Sequence, residues 1–129
     1  MDALKIEPAK TWPAVFFDAN HHKLDIRGES YPENTSDFYR PVFEWLEAYL
    51  DNFPDTPVTV NVDLIYFNSS SSKILMDFLF KLDQAAEKGK PVTVNWFYEE
   101  DTEESLEYGE EFQEDVEHLI FQLLPKAEG

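Results

Sequence analysis

The sequence predicts an α/β fold: one domain over residues 1–129, with a mixed β-sheet and helices packed against it. Three observations lead there. Strand-like and helix-like segments alternate after residue 35. The apolar runs at 58–67 and 92–97 are joined by a helix-length segment, and such crossovers are right-handed and make their strands parallel. A chain of 129 residues with 43% hydrophobic and 16% aromatic side chains has the material for one core.

Each element has its own signal. Leu4 to Ile6 reads as a short edge strand. Ala14 to Asp18 and Lys23 to Arg27 are strand-like, with Asn20-His21-His22 as the turn between them. Gly28 and Pro32 punctuate a loop from Gly28 to Asn34. Phe38, Val42, Trp45, Leu46, Tyr49 and Leu50 recur at spacings of three and four, which marks one face of a helix capped by Thr35, Ser36 or Asp37. Pro41 is comfortable only in a first helical turn, so the regular helix is expected to begin late.

Phe53-Pro54-Asp55-Thr56-Pro57 breaks the chain. Val58 to Phe67 alternates at first and then turns continuously apolar, as a central strand does. A second helix is expected from about Ser71 to Lys88, with Ile74, Leu75, Phe78, Leu79, Leu82, Ala85 and Ala86 inward. Gly89 stops it, and Pro91 prevents its return. Val92 to Phe97 is another strand, with Val92, Val94 and Trp96 on one side. Residues 99–117 hold eleven of the 27 acidic residues and no Lys or Arg. Leu106, Tyr108, Phe112 and Val116 give that stretch a broken apolar stripe, read as a solvated acidic helix interrupted at Gly109. Leu119 to Leu124 closes the sheet.

Composition excludes several function classes. With no cysteine, neither a disulfide framework nor a Cys-based zinc or redox site is available. The net charge of −17 argues against nucleic acid, whose phosphates need Lys and Arg, and against anionic membrane surfaces. A basic protein partner is compatible with it. No apolar run reaches the ~18 residues that span a bilayer, and Met1 to Lys10 lack a signal-peptide core, so a cytoplasmic location is the expectation. No Gly-rich phosphate loop, Gly-x-Ser-x-Gly elbow or His-Glu-x-x-His motif occurs. Neither a catalytic engine nor a cofactor is expected.

The informative stretch is Val60 to Asp77. A strand-like run ends in Asn68 and four serines, and a helical stripe starts directly afterwards. The N-terminus of a helix carries roughly half a positive charge and attracts anions. A serine there serves as a plain cap or as a phosphate acceptor. Only one residue can be the cap, so at least one hydroxyl is left over. A phosphate would add about −1.5 to −2 charges and three acceptor oxygens, which is enough to disrupt docking of an apolar partner surface. Tyr31-Pro32-Glu33-Asn34 reads either as a rigid turn, with Asn34 as a cap, or as part of a docking face beside the serines.

Four segments together resemble the SiaC family of bacterial regulatory phosphoproteins: Leu64-Ile-Tyr-Phe-Asn-Ser-Ser-Ser-Ser-Lys-Ile-Leu-Met-Asp77, Gly28-Glu-Ser-Tyr-Pro-Glu-Asn34, Lys90-Pro-Val-Thr-Val-Asn-Trp-Phe-Tyr98 and Glu110-Glu-Phe-Gln-Glu-Asp115. The resemblance implies a fold related to STAS-like anti-anti-sigma-factor domains and a non-enzymatic adaptor. A partner-switching kinase would phosphorylate it, and a PPM-type serine/threonine phosphatase would reverse this. The unphosphorylated form would bind and activate a diguanylate cyclase, raising cyclic di-GMP and favouring biofilm growth. The family's acceptor follows the Asn of a Tyr-Leu-Asn-Thr-Ser-Ser pattern. That position is Ser69 here, with Ser for Thr and Phe67 for Leu, and Ser70 is the second choice. Tyr66, Phe67, Asn68, Ser70 and Lys73, with Tyr31, Pro32, Glu33 and Asn34, are the expected partner-binding residues. The alternative is an anti-anti-sigma antagonist that frees a sigma factor from its inhibitory kinase.

Other clusters carry less. His21 and His22 are adjacent, so on a strand they would point to opposite faces, and a turn role is expected of them rather than metal binding. His118 is remote from both. The acidic stretch lacks the spacing of a calcium loop. Asp63 and Asp77 flank the serine segment and read as solvated or capping carboxylates, with a carboxylate pair as the other option.

Overall fold

A computed structural model describes residues 1–126. It holds six strands and three helices: β1 (Leu4–Ile6), β2 (Ala14–Asp18), β3 (Lys23–Ser30), α1 (Thr35–Asn52), β4 (Val58–Phe67), α2 (Ser69–Glu87), β5 (Val92–Tyr98), α3 (Glu103–Asp115) and β6 (Ile120–Pro125). The sheet runs in chain order, β1-β2-β3-β4-β5-β6. The first two pairings are antiparallel and the last three parallel. The sheet is therefore mixed, and strands 58–67 and 92–97 lie side by side in parallel.

Sequential strand order has a consequence for the helices. Each β-α-β step moves one strand further in the same direction, and right-handed crossovers then put every helix on the same face. The row Phe17, Leu24, Val60, Val94 and Phe121 runs across that face. Phe17 meets Trp45 of α1 and Phe78 of α2, and Trp96 meets Phe112 of α3. The core lies in this one layer between sheet and helices. Among the described residues the opposite face bears no helix. Its middle row is polar: Asn61 donates to Asp25 at 2.9 Å, and Asn95 donates to Asn61 at 3.0 Å. Lys126 sits on this side, 3.0 Å from Asp63.

Several expectations are corrected. β3 extends to Ser30 and absorbs the first part of the Gly28–Asn34 loop, because Gly28 adopts φ +124° where the pairing with β4 shifts register. α1 does not begin late. It starts at Thr35, capped by the Asn34 side chain, which accepts from Asp37 N–H, and Pro41 lies inside it. The carbonyl that Pro41 leaves unbonded belongs to Asp37, and both residues are exposed, so water can serve it. Tyr39 is buried where Phe38 was expected, with Phe38 half-buried.

α2 begins at Ser69 rather than Ser71. Its C-terminus follows the expectation: Gly89 (φ +114°) donates to Ala86 and Lys90 to Ala85, the paired bonds of a glycine-ended helix. Gly109 does not interrupt α3. It is buried, and a Cβ there would lie 2.6 Å from both Trp96 and Leu123. The glycine lets an acidic helix press onto β5 and β6. The Asn20–His22 turn is as expected: His22 takes φ +52° and bonds the Tyr49 hydroxyl at 2.7 Å, and His21 meets Asp18 at 2.6 Å.

Candidate functional site

The site is built at the carboxyl end of β4, where the strand breaks its own alternation. Gly28 pairs with Leu64 but Glu29 pairs with Tyr66, which leaves Ile65 as an extra residue. Such a bulge shifts the phase of the side chains. Leu64 and Phe67 both turn into the core, while Ile65 (60% exposed) and Tyr66 (50% exposed) both face solvent. The continuous apolar run of the sequence thus divides into a buried pair and an exposed pair. Phe67 packs against Trp96, Tyr108 and Phe112.

Asn68 makes the next turn. Its side chain accepts from Ser71 N–H at 2.9 Å, its carbonyl accepts from Ser72 N–H at 2.9 Å, and its own N–H donates to the Ser30 carbonyl at 3.1 Å. The cap is therefore the asparagine, and none of the four serines is used as one. Ser69 and Ser70 are exposed, Ser72 is half-buried and Ser71 is fully buried. The Ser71 hydroxyl accepts from Ser30 at 2.8 Å, and Ser30 in turn bonds the Tyr39 hydroxyl at 2.6 Å. Burial holds the Tyr39 hydroxyl at a pKa of about 12.

The Tyr31–Asn34 loop lies beside this turn. Tyr31 meets Tyr66 edge-on with ring centroids 5.7 Å apart. Glu33 and Asn34 share an open groove with Ser70, Lys73, Ile74 and Asp77. The starts of α1 and α2 flank the groove, each capped by an asparagine. Two positive helix ends and Lys73 thus favour an anion here, while Glu33 and Asp77 oppose one inside the groove. The loop is a capping turn, and it also lies next to the serines.

Most expected site residues come together. Ser69, Ser70, Tyr31, Tyr66, Glu33, Asn34 and Lys73 lie around one end of the molecule. Pro32 and Phe67 are buried, so they support this surface from beneath, and Asn68 is committed to capping. Asp63 and Asp77 do not pair: one lies on the helix-free face of the sheet with Lys126, the other in the groove on the helix side. Among the described residues no group of three or more His, Asp or Glu side chains gathers to hold a metal ion, and no helix is long and apolar enough to cross a membrane. Sequence reasoning missed Ile65, Ser30 and Tyr39. Only the continuous apolar run Leu64-Ile-Tyr-Phe67 at the end of an alternating strand hinted at the first, and nothing local marked the other two.

A family model described as SiaC family regulatory phosphoprotein matches residues 6–126. The chain belongs to this family. The match runs through all four segments that carried the resemblance. An uncharacterized protein of Pseudomonas aeruginosa strain UCBPP-PA14 is 36% identical to this SiaC-family chain over 115 residues, 89% of this chain and 90% of that protein. The structure of SiaC of Pseudomonas aeruginosa superposes with a TM-score of 0.90 at 32% identity, covering 98% of this chain and 100% of that one. A structure of the diguanylate cyclase SiaD in complex with its activator SiaC, from the same organism, contains a chain with a TM-score of 0.90 at 33% identity, covering 95% and 99%. The mixed sheet with helices on one face is thus the fold of the SiaC structures.

Proposed function

We propose that this chain is a phosphorylation-controlled, non-enzymatic adaptor of a cytoplasmic partner-switching pathway. Its unmodified form binds and activates a diguanylate cyclase, and phosphate on Ser69 blocks that binding. The observation that carries the reading is the exposed Ser69 hydroxyl, set at a helix start within a few residues of the exposed Ile65 and Tyr66. Burying that apolar pair under a partner is favourable at roughly 25 cal/mol per Å². A phosphate beside it carries a near-dianion that must be stripped of water to let the partner close, and unpaired charge resists this strongly.

Ser69 is preferred over Ser70 because Ser70 lines the groove with Glu33 and Asp77, which would repel the added charge. The reaction partners follow from this reading: a protein kinase that supplies the phosphate and a PPM-type phosphatase that removes it, both docking over the same end. The likeness to a protein named as the activator of a diguanylate cyclase supports the choice of output.

Mass spectrometry after incubation with the cognate kinase tests the site: one phosphate on the wild type and none on Ser69→Ala is the expected result. In a reconstituted cyclase assay, Ser69→Ala should activate whether or not the kinase is present, whereas the phosphorylated wild type should not. Full phosphorylation of Ser69→Ala would refute the assignment.

A further inference from the structure

The hydroxyls of Tyr39, Ser30 and Ser71 form a continuous hydrogen-bonded chain that ends two residues from Ser69. The three residues come from α1, β3 and α2, and all are sealed from solvent: Ser30 and Ser71 at 0% exposure and Tyr39 at 2%. Capping does not explain the chain, since Asn68 already caps α2. Filling space does not explain it either, because apolar side chains of the same shape would fill the space without the need to desolvate three hydroxyls. Hydrogen bonds add direction. An apolar contact tolerates sliding, whereas a bonded hydroxyl fixes the approach of its neighbour.

The direction here is defined. Ser30 has one proton and gives it to Ser71, so Tyr39 donates to Ser30. The main chain repeats the tie where Asn68 N–H meets the Ser30 carbonyl.

We propose that Tyr39, Ser30 and Ser71 are positioning residues for phosphate transfer to Ser69. They lock the first turn of α2 to the end of β3 and to α1. The acceptor hydroxyl is thereby held at one height beside the Ile65–Tyr66–Tyr31 surface on which a kinase would dock. None of the three touches the phosphate donor, and they act only through the placement of Ser69. The inference rests on the reading of Ser69 as the acceptor.

Steady-state phosphorylation by the cognate kinase tests it. Ser71→Ala removes the acceptor of the Ser30 proton, and Tyr39→Phe removes the far end of the chain. Each should lower kcat by about tenfold or more, because small displacements of a reacting group are costly. KM should stay within about twofold, because the docking side chains are untouched. Ser71→Cys, close in volume but a weaker hydrogen-bonding group, should fall between the two. Asp83→Asn loosens the fold from a distant part of α2 and should leave kcat unchanged.

Ser71→Ala and Tyr39→Phe turning over like the wild type, with only their melting temperatures lowered, would overturn the proposal and leave the hydroxyls a purely structural role. A loss of kcat in Asp83→Asn equal to theirs would do the same. Undiminished phosphorylation of Ser69→Ala would instead overturn the acceptor reading beneath it.

Discussion

Asp83 illustrates how single residues hold this fold. Its nearly buried carboxylate accepts from the backbone N–H groups of Glu117, His118 and Leu119 at 2.7–3.2 Å, tying α2 to the turn that leads into β6. Burial works to raise its pKa, but the three backbone donors, aided by His118, outweigh that and bring it below the ordinary value. A carboxylate with a depressed folded pKa stabilises the fold above its unfolded pKa of about 4, and that contribution is lost as pH falls through the folded value. Asp83→Asn should therefore cost about 2 kcal/mol at neutral pH, read from urea denaturation, and the gap from wild type should close in acid.

Lys90 plays a comparable part just beyond the C-terminus of α2, donating to the Phe53 and Thr56 carbonyls over the Tyr49 ring. Neither role was legible in the sequence. Nothing local sets Asp83 or Lys90 apart from other charged residues, and only tertiary proximity supplies their partners.

Among elements, β4 and α3 show what periodicity conveys and what it hides. The strands and helices were legible because their apolar periods of two and three to four are long and regular. The bulge at Ile65 was not, since it depends on pairing with Gly28 and Glu29 across the sheet. Ile65→Ser should leave stability within about 0.5 kcal/mol of wild type, as exposed substitutions do, while weakening binding to the activated cyclase at least several-fold in calorimetry. Loss of stability without loss of binding would remove Ile65 from the docking surface.

Gly109 taught the opposite lesson. A glycine in a helical stripe reads as a break, but here it is a point of close approach. Gly109→Ala gains about 1 kcal/mol of helix propensity and collides with Trp96 and Leu123. Overpacking costs about 1–3 kcal/mol, so a net loss of stability is expected in thermal melts, together with altered fluorescence of Trp96.

For the whole molecule, charge and alkaline behaviour are set by placement. A net charge of −17 on 129 residues makes association with any basic partner fast at low salt and slower as ionic strength rises. Stopped-flow binding should show the on-rate falling with salt while the off-rate changes little. Tyr39 and Tyr49 are held by burial at pKa values of about 12 against an ordinary 10. A group whose folded pKa is raised stabilises the fold fully below its unfolded pKa and progressively less above it. Unfolding is therefore expected to become easier between pH 10 and 12, with two of the six tyrosines titrating late by ultraviolet absorbance. The fold class and the position of the candidate site were legible because the alternation of strand and helix and the serine run are both written locally, whereas the gathering of loop 31–34 against α2 follows from the crossover geometry.

One consequence concerns instrumentation of the molecule. The helix-free face carries amides through its middle row, and Gln122 stands exposed there, in register with Asn95. Because the natural chain offers no thiol, Gln122→Cys would create a unique attachment point for a dye or spin label. Such a probe would ride on a strand of the sheet, across from the helix layer that contains the serine turn, and would report tumbling and distance changes without occupying that turn.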